Sequence, residues 1–89
     1  MRHELKLLEH FEKPVLSGEK NFEVRKNDRG FQAGDEVCFK VMKEHYMNPI
    51  PSPLNEKVYK ITYVLSGWGI ENGYVVFGIR ELEQEERNG

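Results

Sequence analysis

Gly18-Glu19-Lys20-Asn21-Phe22-Glu23-Val24-Arg25 is where the chain stops reading as helix and starts reading as strand. Upstream, Leu8, Phe11, Val15 and Leu16 recur at helical spacing, and Gly18 stands where a C-cap glycine belongs. Proline inside a longer helix would cost about 3 kcal/mol, so the spacing predicts a short helix with Pro14 in its first turn. Downstream, Asn21 to Lys26 alternates, with Phe22 and Val24 pointing one way and Glu23 and Arg25 the other. Two residues apart on a strand is roughly 6.6–6.8 Å along the chain, so an acceptor and a fork of donors share one face. Lys20 enters beside them from the helix–strand junction. The trio suits a nucleobase edge and a phosphate held together, because guanidinium forks match phosphates and carboxylates accept from exocyclic amines.

Working outward, His3 to Leu8 alternates as a first strand. Glu36 to Lys43 sets Val37, Phe39 and Val41 on an inner face, with Glu36, Cys38, Lys40 and Met42 outside. Lys57 to Leu65 is expected to place Tyr59, Ile61, Tyr63 and Leu65 on one side. Tyr74 to Arg80 turns Val75, Phe77 and Ile79 inward. Asn27-Asp28-Arg29-Gly30, Ala33-Gly34-Asp35, Gly67-Trp68-Gly69 and Asn72-Gly73 read as turns. Residues 44–56 carry Pro49, Pro51 and Pro53, which excludes a central strand and predicts an extended loop, functional or mobile. About five short strands and one early helix need a mutual core. The expected fold is therefore mostly β, a small closed or nearly closed barrel with a short N-terminal helix. A single domain over residues 1–82 is expected, with residues 83–89 a frayed acidic tail.

Composition bounds the function. Eighty-nine residues, 38% hydrophobic, suffice for one thin core. Apolar runs are far shorter than the roughly 20 residues of a membrane span, and the start lacks the apolar stretch of a secretory signal. The lone Cys38 forms no internal disulfide, so a reducing cytoplasm is the expected setting. His3, His10 and Cys38 lack ligand spacing, so neither a metal nor a cofactor is expected, and Cys38 has no evident histidine partner for catalysis. A net charge of −2 excludes the strongly basic composition of general nucleic-acid binders. The distribution is more favourable. Residues 20–30 hold Lys20, Arg25, Lys26 and Arg29 against Glu23 and Asp28, whereas the C-terminal stretch is acidic. A polyanion would therefore meet the first half of the chain.

Gly18-x-Lys20-x-x-Glu23-x-Arg25 resembles the signature of the ASCH superfamily. The string from His3-Glu4-Leu5-Lys6 through Phe22 to Phe31 and Ala33-Gly34-Asp35 is similar to a branch of small bacterial and phage proteins in that superfamily. The resemblance covers nearly the whole chain and is weakest across residues 44–56. It implies a PUA-like β-barrel and RNA or nucleotide binding in a cleft beside the helix, with Lys20, Glu23 and Arg25 lining it. Some similar proteins are amidohydrolases of acylated cytidine that use a Lys–Thr–Glu arrangement. Here Glu23, not threonine, stands three residues after Lys20.

The expected function is accordingly an RNA- or nucleotide-binding module, with Lys20 and Arg25 on phosphate and Glu23 on a base or orienting Arg25. Lys26, Asn27 and Arg29 would extend the basic surface, although turn composition alone accounts for Asn27. Tyr46 is the better stacking candidate. Trp68 either stacks on a base or caps one end of the barrel, and the cap is the preferred reading. Glu23 and Arg25 as a plain exposed ion pair would be worth only about 0–1 kcal/mol. Two alternatives stand beside this reading. One is a small hydrolase, amidohydrolase or ribonuclease, with Lys20 and Glu23 catalytic. Its obstacle is that lowering a lysine from about 10.4 to about 7 requires roughly 4.6 kcal/mol. The other is a protein-interaction module docking through residues 44–56.

Overall fold

The computed structural model describes residues 1–46 and 48–87; Met47 of the proline segment and the end of the 83–89 tail lie outside them. The chain runs β1 (Arg2–Leu8), a 3-10 turn (Glu9–Phe11), α1 (Glu12–Ser17), β2 (Phe22–Lys26) and β3 (Glu36–Met42). A second 3-10 turn (Pro53–Glu56), β4 (Val58–Leu65), β5 (Tyr74–Glu81) and a last 3-10 turn (Gln84–Glu86) follow. The five strands make one sheet in the order β1-β3-β4-β5-β2. β1 pairs with β3 in parallel, and every other pairing is antiparallel.

β1 and β2, joined through α1, are therefore the two edges. Side chains bring these edges together. Arg25 Nη2 donates to the Lys6 carbonyl at 2.9 Å, and Arg29 Nη1 donates to the Glu4 carbonyl at 2.7 Å. Glu4 and Lys6 alternate along β1, so both carbonyls lie on its outer, unladdered side. The sheet curls into a half-barrel whose seam is stitched by two guanidiniums in place of a backbone ladder, and this leaves β1 no bare row of acceptors there.

Local sequence explains the turn into the seam. Gly18 leaves α1 at φ 84°, its N–H on the Val15 carbonyl, and Lys20 N–H closes back on the Pro14 carbonyl at 2.9 Å. Pro14 sits in the first turn of α1, as its missing donor requires.

The core follows the alternation expected of β3 and β5: Val37, Phe39 and Val41 meet Val75, Phe77 and Ile79, with Leu5, Leu7, Val15 and Ile61. Four expectations change. Met42 is buried, because the proline segment folds back over the end of β3 and pairs Pro49 with it. The described part of that segment pairs with the sheet only through this bridge, closes with the Pro53–Glu56 turn and is well anchored. Leu54 is fully buried, and Asn55 joins the Val41 N–H to the Ile50 carbonyl. In β4, Ile61 faces Ile79 while Tyr63 faces Gly78, so Thr62 is an extra residue. This bulge reverses the alternation: Tyr59 and Ile61 point inward, but Tyr63 is 66% exposed. Gly78 makes room for it, since a Cβ there would lie 2.5 Å from Thr62 Oγ1. Trp68 caps nothing. It is 90% exposed, at φ 54° between two glycines that are also left-handed.

One polar pair also lies inside. His3 is buried on Phe31 with its Nε2 2.8 Å from Asp35 Oδ2. Asp35 also accepts from the Gln32 N–H, and the N-terminal ammonium lies 3.5 Å away. Burial pushes the Asp35 carboxyl up, but these three partners outweigh it and leave the group below its ordinary value.

Candidate functional site

The seam between β1 and β2 opens into a cleft of about 740 Å³, roofed by the start of the helical segment. Its walls are Leu8, Phe11, Pro14, Phe22 and Val24, and its polar lining includes Lys20, Glu23 and Arg25. The three residues of the sequence motif thus converge on one hollow.

Glu23 is the centre of the arrangement. It lies on the inward face of an edge strand and is only 2% exposed, whereas Phe22 and Val24 turn outward at 42% and 55%. A buried carboxylate needs partners, and it has two cations. Lys20 Nζ meets Oε2 at 2.5 Å, and Arg25 reaches Oε1 through Nε at 2.9 Å and Nη2 at 2.7 Å. Each of its oxygens is thus engaged by a cation, Oε2 by Lys20 and Oε1 by Arg25. The carboxylate orients the two cations.

Lys20 Nζ also donates to the Phe22 carbonyl at 2.9 Å and sits 5.0 and 5.3 Å from the Phe11 and Phe22 ring centroids. The carboxylate and the two ring faces are contacts that favour an ammonium. An ammonium has three donors, so one N–H of Lys20 is left, and Arg25 Nη1 has no protein partner among the described residues. With one acid against two bases, the cluster carries a formal charge of +1 and two spare donor groups at the floor of an apolar, aromatic-walled cleft.

The other expected site residues serve elsewhere. Asn27 Oδ1 accepts from the Phe31 N–H and closes its turn, and Arg29 is committed to β1. Lys26, Tyr46 and Trp68 are exposed and do not line the cleft. Cys38 is half-buried, and burial pushes its thiol up, away from the nucleophilic thiolate. Sequence reasoning missed Phe11 and Phe22 as walls, having assigned both to apolar periodicities. The available signal was Phe22 itself, a large apolar residue two positions from Lys20 on a strand whose other face carries charge. Among the described residues no group of three or more His, Cys, Asp or Glu is placed to hold a metal. No described helix is long and apolar enough to cross a membrane.

Comparison with solved structures finds the same fold in the crystal structure of hypothetical protein PH0355, with a TM-score of 0.59 at 20% identity. The match covers 92% of this chain and 100% of that one. No curated protein matches the chain. A family model does match, over residues 2–79, which spans the seam, the motif and all five strands except the last residues of β5. The chain belongs to the family described as a domain of unknown function (DUF3850).

Proposed function

We propose that the seam cleft binds a nucleotide, free or as one unit of single-stranded RNA. Its phosphate would rest on Lys20 and Arg25 Nη1 and its base against Phe11 and Phe22. The observation that carries this reading is the placing of two cations with spare donors at the floor of a cleft with aromatic walls. Buried Glu23 holds both donors in position before any ligand arrives, which lowers the ordering cost of binding. The reading agrees with a place for this family in the ASCH superfamily and with a PUA-like barrel, as the Gly18-to-Arg25 motif implies.

The hydrolase alternative draws no support from the site. A free-amine Lys20 would give up its ion pair and both cation–π contacts, and Glu23 has no threonine beside it in the motif. The 44–56 docking alternative is likewise unsupported, because the described part of that segment is anchored on β3.

The test is a titration with nucleoside monophosphates and short single-stranded RNA at several salt concentrations. One phosphate neutralised on a single strand gives an expected slope of log K against log salt near −0.7. Lys20→Met is expected to weaken binding about tenfold, or roughly 1.4 kcal/mol. A salt-independent response, or unchanged affinity in Lys20→Met, overturns the assignment.

A further inference from the structure

Lys20 also borders a second hollow, of about 230 Å³, between the C-terminal turn of α1, the start of β4 and the end of β5. Val15, Leu16 and Ile79 give it apolar walls, and Asn21, Tyr59 and Glu81 give it polar ones. Among the described residues Lys20 alone lines both this hollow and the seam cleft.

Unlike the cleft, the hollow holds a buried polar group that nothing in the chain satisfies. Tyr59 is 4% exposed, and its hydroxyl has no hydrogen-bond partner among the described residues. A buried hydroxyl left unpaired is costly, and folded proteins keep few of them. Tyr59 and Glu81 face each other across the β4–β5 ladder, so their side chains project to the same side of the sheet. The Glu81 charge reaches the hydroxyl. Glu81 gives Oε2 to Lys57 at 2.9 Å, which leaves Oε1 without a partner among the described residues. Asn21 gives its backbone carbonyl to the Ile79 N–H, and its side-chain amide bonds no described group.

Size limits what the hollow can take. At roughly 30 Å³ per water it equals about seven or eight waters, below the roughly 300 Å³ at which small-molecule sites begin. It suits one planar ring whose remainder is held elsewhere, and the cleft on the other flank of Lys20 can hold a remainder. The polar set selects the ring. A carboxylate oxygen accepts from an exocyclic amine, and a hydroxyl or amide serves the ring nitrogen beside it. A bare cation fits less well, because Lys20 lines the hollow and Lys57 is paired with Glu81. We infer that the hollow is a second base subsite, and that the ligand is two consecutive nucleotides of a single strand. Their shared phosphate lies on Lys20, and the second base, one with an exocyclic amine, meets Tyr59, Asn21 and Glu81. This rests on the nucleotide reading of the cleft and narrows it from a free nucleotide to a dinucleotide step.

The test is a titration with the dinucleoside monophosphates ApA and IpI, with inosine monophosphate as the probe of the cleft alone. Inosine keeps the purine ring and exchanges the amine for a carbonyl, so the two ligands differ at the subsite contact. ApA is expected to bind at least tenfold more tightly than IpI. Tyr59→Phe keeps the fold, since the hydroxyl bonds no described group. It is expected to remove most of the ApA advantage and to leave inosine monophosphate affinity unchanged. Asn21→Ala is expected to lower ApA affinity at least threefold with the same control unchanged. Equal affinity for ApA and IpI overturns the inference. So does an ApA preference that survives both substitutions, which would leave a water alone on the Tyr59 hydroxyl. In either case inosine monophosphate binding that falls in Lys20→Met keeps the cleft reading standing, whereas no binding of any of the three ligands overturns both.

Discussion

Two ion-paired acids, Glu23 buried and Asp35 partly buried, are put to different use. Asp35 meets His3, the Gln32 N–H and the N-terminal ammonium, and it does not line the seam cleft. Its acceptors are taken by groups that tie the first strand to the turn before β3. Glu23 is more deeply buried, but its partners are two long cationic side chains with donors to spare, and a 740 Å³ cleft lies against them. What separates a structural clamp from a candidate site is therefore what remains unsatisfied on the partners. Burial and ion pairing are common to both.

The comparison breaks most sharply at Glu23. Glu23→Ala leaves two partly buried cations without their acid and is expected to cost about 3–5 kcal/mol in urea unfolding. The seam should loosen and nucleotide affinity should fall with it. If the substitution costs under about 1 kcal/mol, Glu23 is no organising centre.

Asp35→Asn is expected to cost less, about 1–2 kcal/mol near neutral pH, with no effect on nucleotide binding. Its clearer signature is in acid. The folded Asp35 carboxyl lies below an unfolded value of about 4, so its contribution is fully present above that pH. It is lost as pH falls through the lower folded value. Urea midpoints measured from pH 7 down to pH 2 should fall less steeply in Asp35→Asn than in the native chain.

Lys20→Met sharpens the contrast, because Glu23 keeps Arg25. A stability cost of about 1 kcal/mol is expected beside the tenfold loss of affinity, so function and fold separate at this residue. Thermal melts and the titration above, run on the same preparation, check the pair of numbers.

Tyr59 supplies the smallest effect and the limiting case. Its hydroxyl is buried with no hydrogen-bond partner among the described residues, and burial, with the Glu81 charge, pushes its pKa up to about 12. Tyr59→Phe is expected to be neutral or stabilising by up to about 1 kcal/mol. Because the folded value lies above an unfolded value of about 10, stability is intact below pH 10 and declines from pH 10 to 12. That alkaline decline should be reduced in Tyr59→Phe when unfolding is followed across the same range.

Much of this was legible in one dimension. Strand alternation in β3 and β5 needs only the period-2 geometry of an extended chain, and Pro14 and Gly18 bracket α1 by their own backbone constraints. The spacing of Lys20, Glu23 and Arg25 placed them together for the same local reason. What could not be read was which side of β2 faces in. Two apolar and two charged residues alternate there, and hydrophobicity alone would have buried Phe22 and Val24. Only the curl of the sheet, which brings β1 within reach of Arg25 and Arg29, makes the charged side the inner one. The Thr62 bulge is equally silent in sequence, because it is defined by a partner strand and by the missing Cβ of Gly78, sixteen residues away. Local backbone chemistry fixed the elements and the motif; packing between distant segments decided which faces are buried, where the cleft opens and where the aromatics meet water.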